Sequence, residues 1–302
     1  MTQFSSLDEP VISGPFHLYD SSFILEFLRP HPSRNASVLI RATYKHDHPL
    51  CQRGTSHPQS PPLHLHFSQS ENFQVLQGKI GTIETYALIK HISTPDDGPH
   101  EIEPYVPHTF YPIADSDEDC VMLMWASLDN VHDVMDRVFF TNLLIYISDV
   151  HEKKATLNPF QIMLMQHVSS TALVWFPTAT WLGPLRWWMP WKIQALFAAA
   201  GRLGGLTPAM EKYTSKEDWE GVLDSLHKAA NRQANQPDGA FKHGPLHSKG
   251  TAFVSSNRAL QGSAIATGQA KPRPSPSPLP LISARVARQL TGSVQKAITT
   301  VQ

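Results

Sequence analysis

In the stretch Leu63–Gly78, LHLHFSQSENFQVLQG, two histidines stand one residue apart, His64 and His66. Side chains alternate faces along a strand, so this spacing turns both imidazoles to one side and Leu65 and Phe67 to the other. Four residues separate His66 from Glu71, enough for a tight turn after which a second strand brings the carboxylate back toward the histidines. Gly78 ends that second strand where a turn needs positive φ. In Glu103-Pro104-Tyr105-Val106-Pro107-His108-Thr109-Phe110, 42 residues beyond His66, a third imidazole stands at the start of a later strand and can close the set. Three neutral imidazoles and one carboxylate suit a divalent first-row metal (Fe, Mn, Ni, Cu or Zn) and leave coordination positions free for water, dioxygen or substrate. A His-x-His pair alone is usually an ordinary polar pair. Glu71, Gly78 and His108 at workable spacing make chance agreement a poor explanation.

The elements that must position these groups read as short strands from Phe16 to about Leu128, rich in β-branched and aromatic residues and separated by Pro, Ser, Asp and Gly clusters. The pattern predicts strands at Phe16–Tyr19, Ser22–Leu28, Ser37–Tyr44, Leu63–Phe67, Asn72–Gln77, Lys79–Leu88, Glu101–Glu103, His108–Tyr111 and Cys120–Ala126. Short strands at this spacing suggest a sandwich or barrel. His46–Pro62 reads as a loop whose His46, His48 and His57 are expected to face solvent. The Asp115–Asp119 run reads as a solvated connection.

After Asp129 the apolar spacing changes to three and four residues, predicting a helix over Val131–Val150 and a second starting with Pro159 at its first position. Residues 155–185 carry no charge, but His167, Ser169, Ser170, Thr171, Pro177 and Pro184 interrupt them, so no membrane span is expected. Trp175, Trp181, Trp187, Trp188 and Trp191 follow, five of the seven tryptophans within 17 residues, beside Arg186, Lys192 and an apolar helix at Ile193–Ala200. Two readings stand: a helical layer packed on the β-structure, or an interfacial membrane segment. Ser215–Lys228 reads as a short surface helix.

Residues 1–230 hold 16 basic and 25 acidic side chains, a net of −9, whereas 231–302 hold nine basic and one acidic, a net of +8. The acidic body argues against a nucleic-acid surface. The tail, with KPRPSPSPLP at Lys271–Pro280, is expected to be disordered. Cys51 and Cys120 are too few for a disulfide framework, and MTQFSSLDEPVISG lacks a signal-peptide pattern, so a cytoplasmic site is expected, with membrane association as the variant. Glycine-rich phosphate loops, nicotinamide fingerprints and serine elbows are missing from the sequence.

HLHFSQSENFQVLQG resembles the first motif of the cupin superfamily, and PYVPHTF the second. The resemblance covers roughly residues 36–128 and implies a cupin fold: a mainly β double-stranded β-helix, or jelly-roll, barrel followed by a helical layer. It implies metal-ligand roles for His64, His66, Glu71 and His108. The chain departs from the pattern at Pro58, Glu103, Tyr105 and Pro112, where the motifs usually carry glycine, proline, glycine and asparagine. With Phe140, Asn142, Asn158, Pro159, Phe160 and Gln161, the chain also resembles fungal cupin-domain proteins of natural-product gene clusters described as oxidoreductases. The expected organisation is N-terminal strands at 1–35, the barrel at 36–128, a Trp-rich helical region at 129–230 and a basic tail at 231–302.

The expected function is a metal-dependent oxidoreductase, with iron the first choice and a dioxygenase one form, acting on a hydrophobic small molecule. Glu71, as ligand or base, and Tyr105 are the candidate catalytic residues, and Gln74, Tyr86, Tyr105 and Phe110 are expected at the pocket. Tyr105 reads equally as a packing residue. The alternatives are a metal-dependent isomerase or cyclase, and a non-catalytic accessory protein docking through its tryptophans. The resemblance also implies a homodimer through edge strands.

Overall fold

The strands follow from alternation of apolar and polar positions, and the sheets from which faces must be buried. The computed structural model describes residues 9–127 and 135–222. Eleven strands occur there: β1 Val11–Leu18, β2 Phe23–Leu28, β3 Ala36–Tyr44, β4 His64–His66, β5 Glu71–Gln77, β6 Ile80–Glu84, β7 Ile89–Ser93, β8 His100–Ile102, β9 His108–Pro112, β10 Cys120–Ser127 and β11 Thr171–Leu173. Three whole helices follow the last long strand, α1 Arg137–His151, α2 Pro159–Val168 and α3 Leu185–Leu203, and a further one begins at 216. One antiparallel sheet runs β1-β2-β3-β10-β5-β8 and the other β11-β4-β9-β6-β7.

Alternation sorts each strand. On β10, Met122, Met124 and Ala126 join the main core with Phe23, Leu25, Ile40, Phe73, Val75 and Phe110, while Leu123 and Trp125 pack on the other face with Leu28 and Leu39. Glu71 shares the parity of Phe73 and Val75 on β5, so it points inward with them. On β4 the inward pair is His64 and His66, and the intervening Leu65 packs with Ala172 and Val174 beneath Trp187 and Trp191.

Capping sets the helix starts. Asp136 accepts the Phe139 N–H to begin α1, and Asn158 accepts from Phe160 and Gln161 to begin α2, with Pro159 at its first position as predicted. Helix α1 therefore begins at Arg137 rather than Val131; residues 128–134 lie outside the described residues, as do the end of the predicted Ser215–Lys228 helix and the whole 231–302 tail. Pro190 lies inside α3 and cannot donate to the Arg186 carbonyl. The Trp175 N–H takes that carbonyl instead, at 2.8 Å.

Several expectations are corrected. The predicted strand Lys79–Leu88 is β6 and a turn that leads into β7, and the turn places Thr85 and Leu88 at φ 63° and 56° without a glycine to announce it. Strand β11 lies inside the stretch expected to be helical. The loop His46–Pro62 contains a 3-10 segment at Cys51–Ser56, and His57 at its end is buried rather than solvent-facing. Asp119 is not a solvated connection: it pairs with Lys45 and accepts from His46 at 2.9 Å through both backbone N–H and Nδ1. Gly78 has φ 69°, and a Cβ there would meet the Asp119 carbonyl at 2.5 Å, so the turn admits only glycine comfortably.

Candidate metal centre

His64 on β4 lies directly across from His108 on β9. Glu71 opens β5 in the opposite sheet, so the turn after His66 carries the chain from one sheet to the other. His64, His66, Glu71 and His108 each offer a donor atom within 4.8 Å of the others, and all four residues are buried. Their ring centroids are 4.4 Å apart for His64 and His108, 5.0 Å for His64 and His66, and 5.2 Å for His66 and His108.

Hydrogen bonds on the far side of each ring fix what faces inward. Nδ1 of His64 donates to the Pro62 carbonyl at 2.9 Å, and Nδ1 of His108 donates to the Val106 carbonyl at 2.9 Å. Nδ1 of His66 lies 3.1 Å from Thr171 Oγ1 on β11. Each ring thereby turns its Nε2 into the site, where a neutral imidazole presents the lone pair that a metal ligand needs. His66 Nε2 is buried without a hydrogen-bond partner, 3.5 Å from Glu71 Oε2. His108 Nε2 lies 2.8 Å from the same oxygen. A lone pair and a carboxylate at that distance repel unless a cation, proton or metal ion, lies between them.

The electrostatics agree with the donor set. Burial, reinforced by the neighbouring imidazoles, holds His64 well below the usual histidine range. Burial also lowers His66, opposed by the attraction of Glu71. Burial would raise the Glu71 carboxyl, but hydrogen bonding and charge from His108 and His66 outweigh it and keep it ionised. Two uncharged imidazoles and a carboxylate anion, out of water and converging with a third imidazole, fit a divalent first-row ion.

A cavity of about 80 Å³ adjoins the donors, much smaller than the roughly 300–1,000 Å³ of sites for drug-sized ligands. Phe23, Leu25, Ile40, Phe110 and Met124 form its sheet walls, and Phe139, Phe140, Leu143 and Leu144 of α1 cover it. Of the expected pocket residues, Phe110 is there. Gln74 is not: it pairs across from Leu123, whose side chain belongs to the outer cluster. Tyr86 lies under the Arg186 guanidinium, 3.8 Å from the ring centroid.

Tyr105 is 53% exposed and is not brought together with the four donors. It occupies the turn position usually held by glycine, at φ 67°, and its ring meets Phe67 at 5.5 Å and Trp187 at 6.1 Å. Its N–H donates to the His66 carbonyl at 2.8 Å, which ties the second motif to the first through backbone. Sequence reasoning missed Thr171, Gln59, Gln166 and the α1 aromatics. Only the helical spacing of Phe139, Phe140, Leu143 and Leu144 signalled an apolar face in need of cover.

Two facing antiparallel sheets, with three inward histidines on one and an inward glutamate opening a strand of the other, define a cupin. The chain belongs to the family of fungal oxidoreductases that includes the probable oxidoreductase virH of Hypocrea virens, to which it is 30% identical over 207 residues, covering 67% of this chain and 88% of virH. It is 33% identical over 153 residues to the oxidoreductase iacF of Pestalotiopsis fici, covering 50% of this chain and 71% of iacF. A solved cupin-like protein from Thermotoga maritima is similar at 15% identity and a TM-score of 0.26, covering 35% of this chain and 69% of that one. No family model matches the chain.

Proposed function

We propose that this oxidoreductase oxidises a small hydrophobic molecule of fungal secondary metabolism, using a divalent metal, iron first, held by His64, His66, Glu71 and His108, with dioxygen as the oxidant. The observation that carries the reading is the convergence of three imidazoles and one carboxylate beside an apolar cavity. A bound ion would supply Lewis acidity and open coordination positions. The chain's own residues do the rest. The Pro62 and Val106 carbonyls and Thr171 orient the rings, Glu71 balances charge or takes a proton at Oε2, and the α1 aromatics exclude water. Membership in an oxidoreductase family favours oxidation over an isomerase or cyclase. Metal analysis of the purified chain, with oxygen uptake on small phenolic compounds, tests it. About one Fe per chain, lost in His66→Ala together with oxygen uptake, is expected; no stoichiometric metal, or uptake unchanged in His66→Ala, overturns it.

We also propose peripheral membrane contact through α3. Among the described residues no helix is long and apolar enough to cross a membrane. Trp187 and Trp191 pack inward on Phe67, at 5.4 and 4.8 Å, which is the packed-layer reading. Leu185, Trp188, Met189, Leu196 and Leu203 lie outward with Lys192 on the same face, and Trp181 beside them is 84% exposed. Residues 155–210 hold no acidic side chain. An apolar outward face with cations and no anions matches an anionic lipid surface. Flotation of the full chain with phosphatidylcholine–phosphatidylserine vesicles is expected, with loss in a Trp181→Ala/Trp188→Ala/Leu196→Ser variant; equal flotation of the two, or none by the natural chain, overturns it.

A further inference from the structure

Two carboxamides that line the cavity each have a buried oxygen without a hydrogen-bond partner. Gln59 is 6% exposed, and its Oε1 is buried without a hydrogen bond. Oε1 of Gln166, from α2, is in the same condition, and both side chains line the cavity that His64, His66 and Glu71 also line. Buried amide oxygens are nearly always paired, so two unpaired ones on side chains that line one cavity point to a polar ligand there.

Gln59 is held in place by its own backbone. Its N–H donates to Nδ1 of His57 at 3.0 Å. That leaves the ring proton on Nε2, which donates to Ser22 Oγ at 3.0 Å, and Ser22 Oγ donates to the Tyr19 carbonyl at 2.8 Å. The His57 ring sits edge-on to Tyr19 and Tyr44, at 5.9 and 5.2 Å. A relay of buried bonds anchored beside β2 thus fixes the backbone at residue 59, whose side chain lines the cavity. Around the two amides the lining is aromatic and aliphatic, so the polar partner must come attached to an apolar body.

We propose that Gln59, seconded by Gln166, binds a hydroxyl group on a small ring-bearing substrate. A hydroxyl both donates and accepts, so it satisfies a carboxamide in either of its two orientations. The cavity admits a small molecule rather than an extended one, and Phe23, Phe110, Phe139 and Phe140 present ring faces and edges to it. The inference rests on the cavity being the substrate site of the proposed oxidoreductase. It makes Gln59 a specificity-determining residue separate from the four donors.

Titration of the full chain with phenol and with toluene, which has the same shape without the hydroxyl, tests it. The natural chain is expected to bind phenol about tenfold more tightly than toluene, and Gln59→Met to lose about tenfold for phenol while keeping toluene. In the natural chain, the side-chain amide NMR signals of Gln59 are expected to move with phenol and stay still with toluene, a reading that stands even where Gln59→Met does not fold. No preference for phenol, a preference retained in Gln59→Met, or unmoved Gln59 signals overturns the inference. Metal content measured on the same samples separates the two readings. A chain that discriminates phenol but holds no metal removes the metalloenzyme and leaves the hydroxyl site; one that holds metal but does not discriminate does the reverse.

Discussion

Two clusters of histidine and carboxylate occur in the described residues, and they have opposite electrostatic states. One is His64, His66, Glu71 and His108; the other is His46, Asp47 and Asp119. In the second, Lys45 already neutralises Asp119, the histidine donates to it, and the side chains of Lys45 and His46 are more than a third exposed. In the first, Lys and Arg are absent from the donor set, all four residues are buried, and Nε2 of His66 and of His108 meets the carboxylate. Residue types alone do not separate the two. The location of the compensating positive charge does: Lys45 supplies it in the second cluster, whereas in the first no ammonium or guanidinium stands among the donors, and the carboxylate is left to the imidazoles or to a bound cation.

The largest effect expected is on Glu71. Glu71→Gln keeps the shape and removes the charge, and metal measured by mass spectrometry is expected to fall from about one per chain to background, with oxygen uptake reduced more than the roughly 10–100-fold of a supporting residue. Asp119→Asn is expected to leave metal content alone. Next comes Thr171→Val, which deletes the partner of His66 Nδ1. Metal affinity is expected to weaken about 10–100-fold in a chelator competition, with full occupancy restored by excess metal.

A histidine outside both clusters sharpens the contrast, because His57 is buried with no carboxylate beside it. Burial, with the neighbouring positive charge of His48, His151 and Arg53, lowers its pKa to about 3, against about 6.5 when unfolded. Between those values the unfolded chain binds the proton more readily. The stability from neutral His57 is therefore complete above about pH 6.5 and is lost as pH falls toward 3, at up to about 1.4 kcal/mol per pH unit. Urea unfolding at pH 7 and pH 5 is expected to show a larger drop for the natural chain than for His57→Gln. The smallest effect belongs to Asp119→Asn, about 1 kcal/mol or less in the same assay, because its pairs with Lys45 and His46 are partly exposed.

The four donors were legible because period-two alternation and a short turn encode direction as well as identity. His64 and His66 could only share a face, and Glu71 shares the parity of two core residues on β5. The expected strands were found mostly within a few residues, since each was bounded by turn-forming residues. The β6–β7 turn was illegible because Thr85 and Leu88 adopt positive φ where the sequence carries no glycine or asparagine. Strand β11 was illegible because three residues carry no periodicity. His57 and Gln59 sit in a loop rich in proline and serine, and their burial depends on Ser22, Tyr19 and Tyr44, far away in sequence. The tryptophans divided between the two readings: Trp187 and Trp191 pack inward while Trp181 and Trp188 do not, a division that a count of aromatic residues does not reveal.

Pro190 and Trp175 bear on how the chain can be divided. The carbonyl released by the proline holds Trp175, two residues beyond the end of β11, and β11 covers the edge of β4 while its Thr171 supports the His66 ring. A segment ending at residue 128 would keep all four donors yet leave β4 an open edge, the kind of edge on which chains pair and aggregate. The smallest piece able to hold this site therefore extends through α3, and a chain shortened for crystallography or engineering should run at least to Thr214, because buried Asn142 of α1 bonds Met210 and Thr214 and buried Gln161 of α2 bonds Thr207.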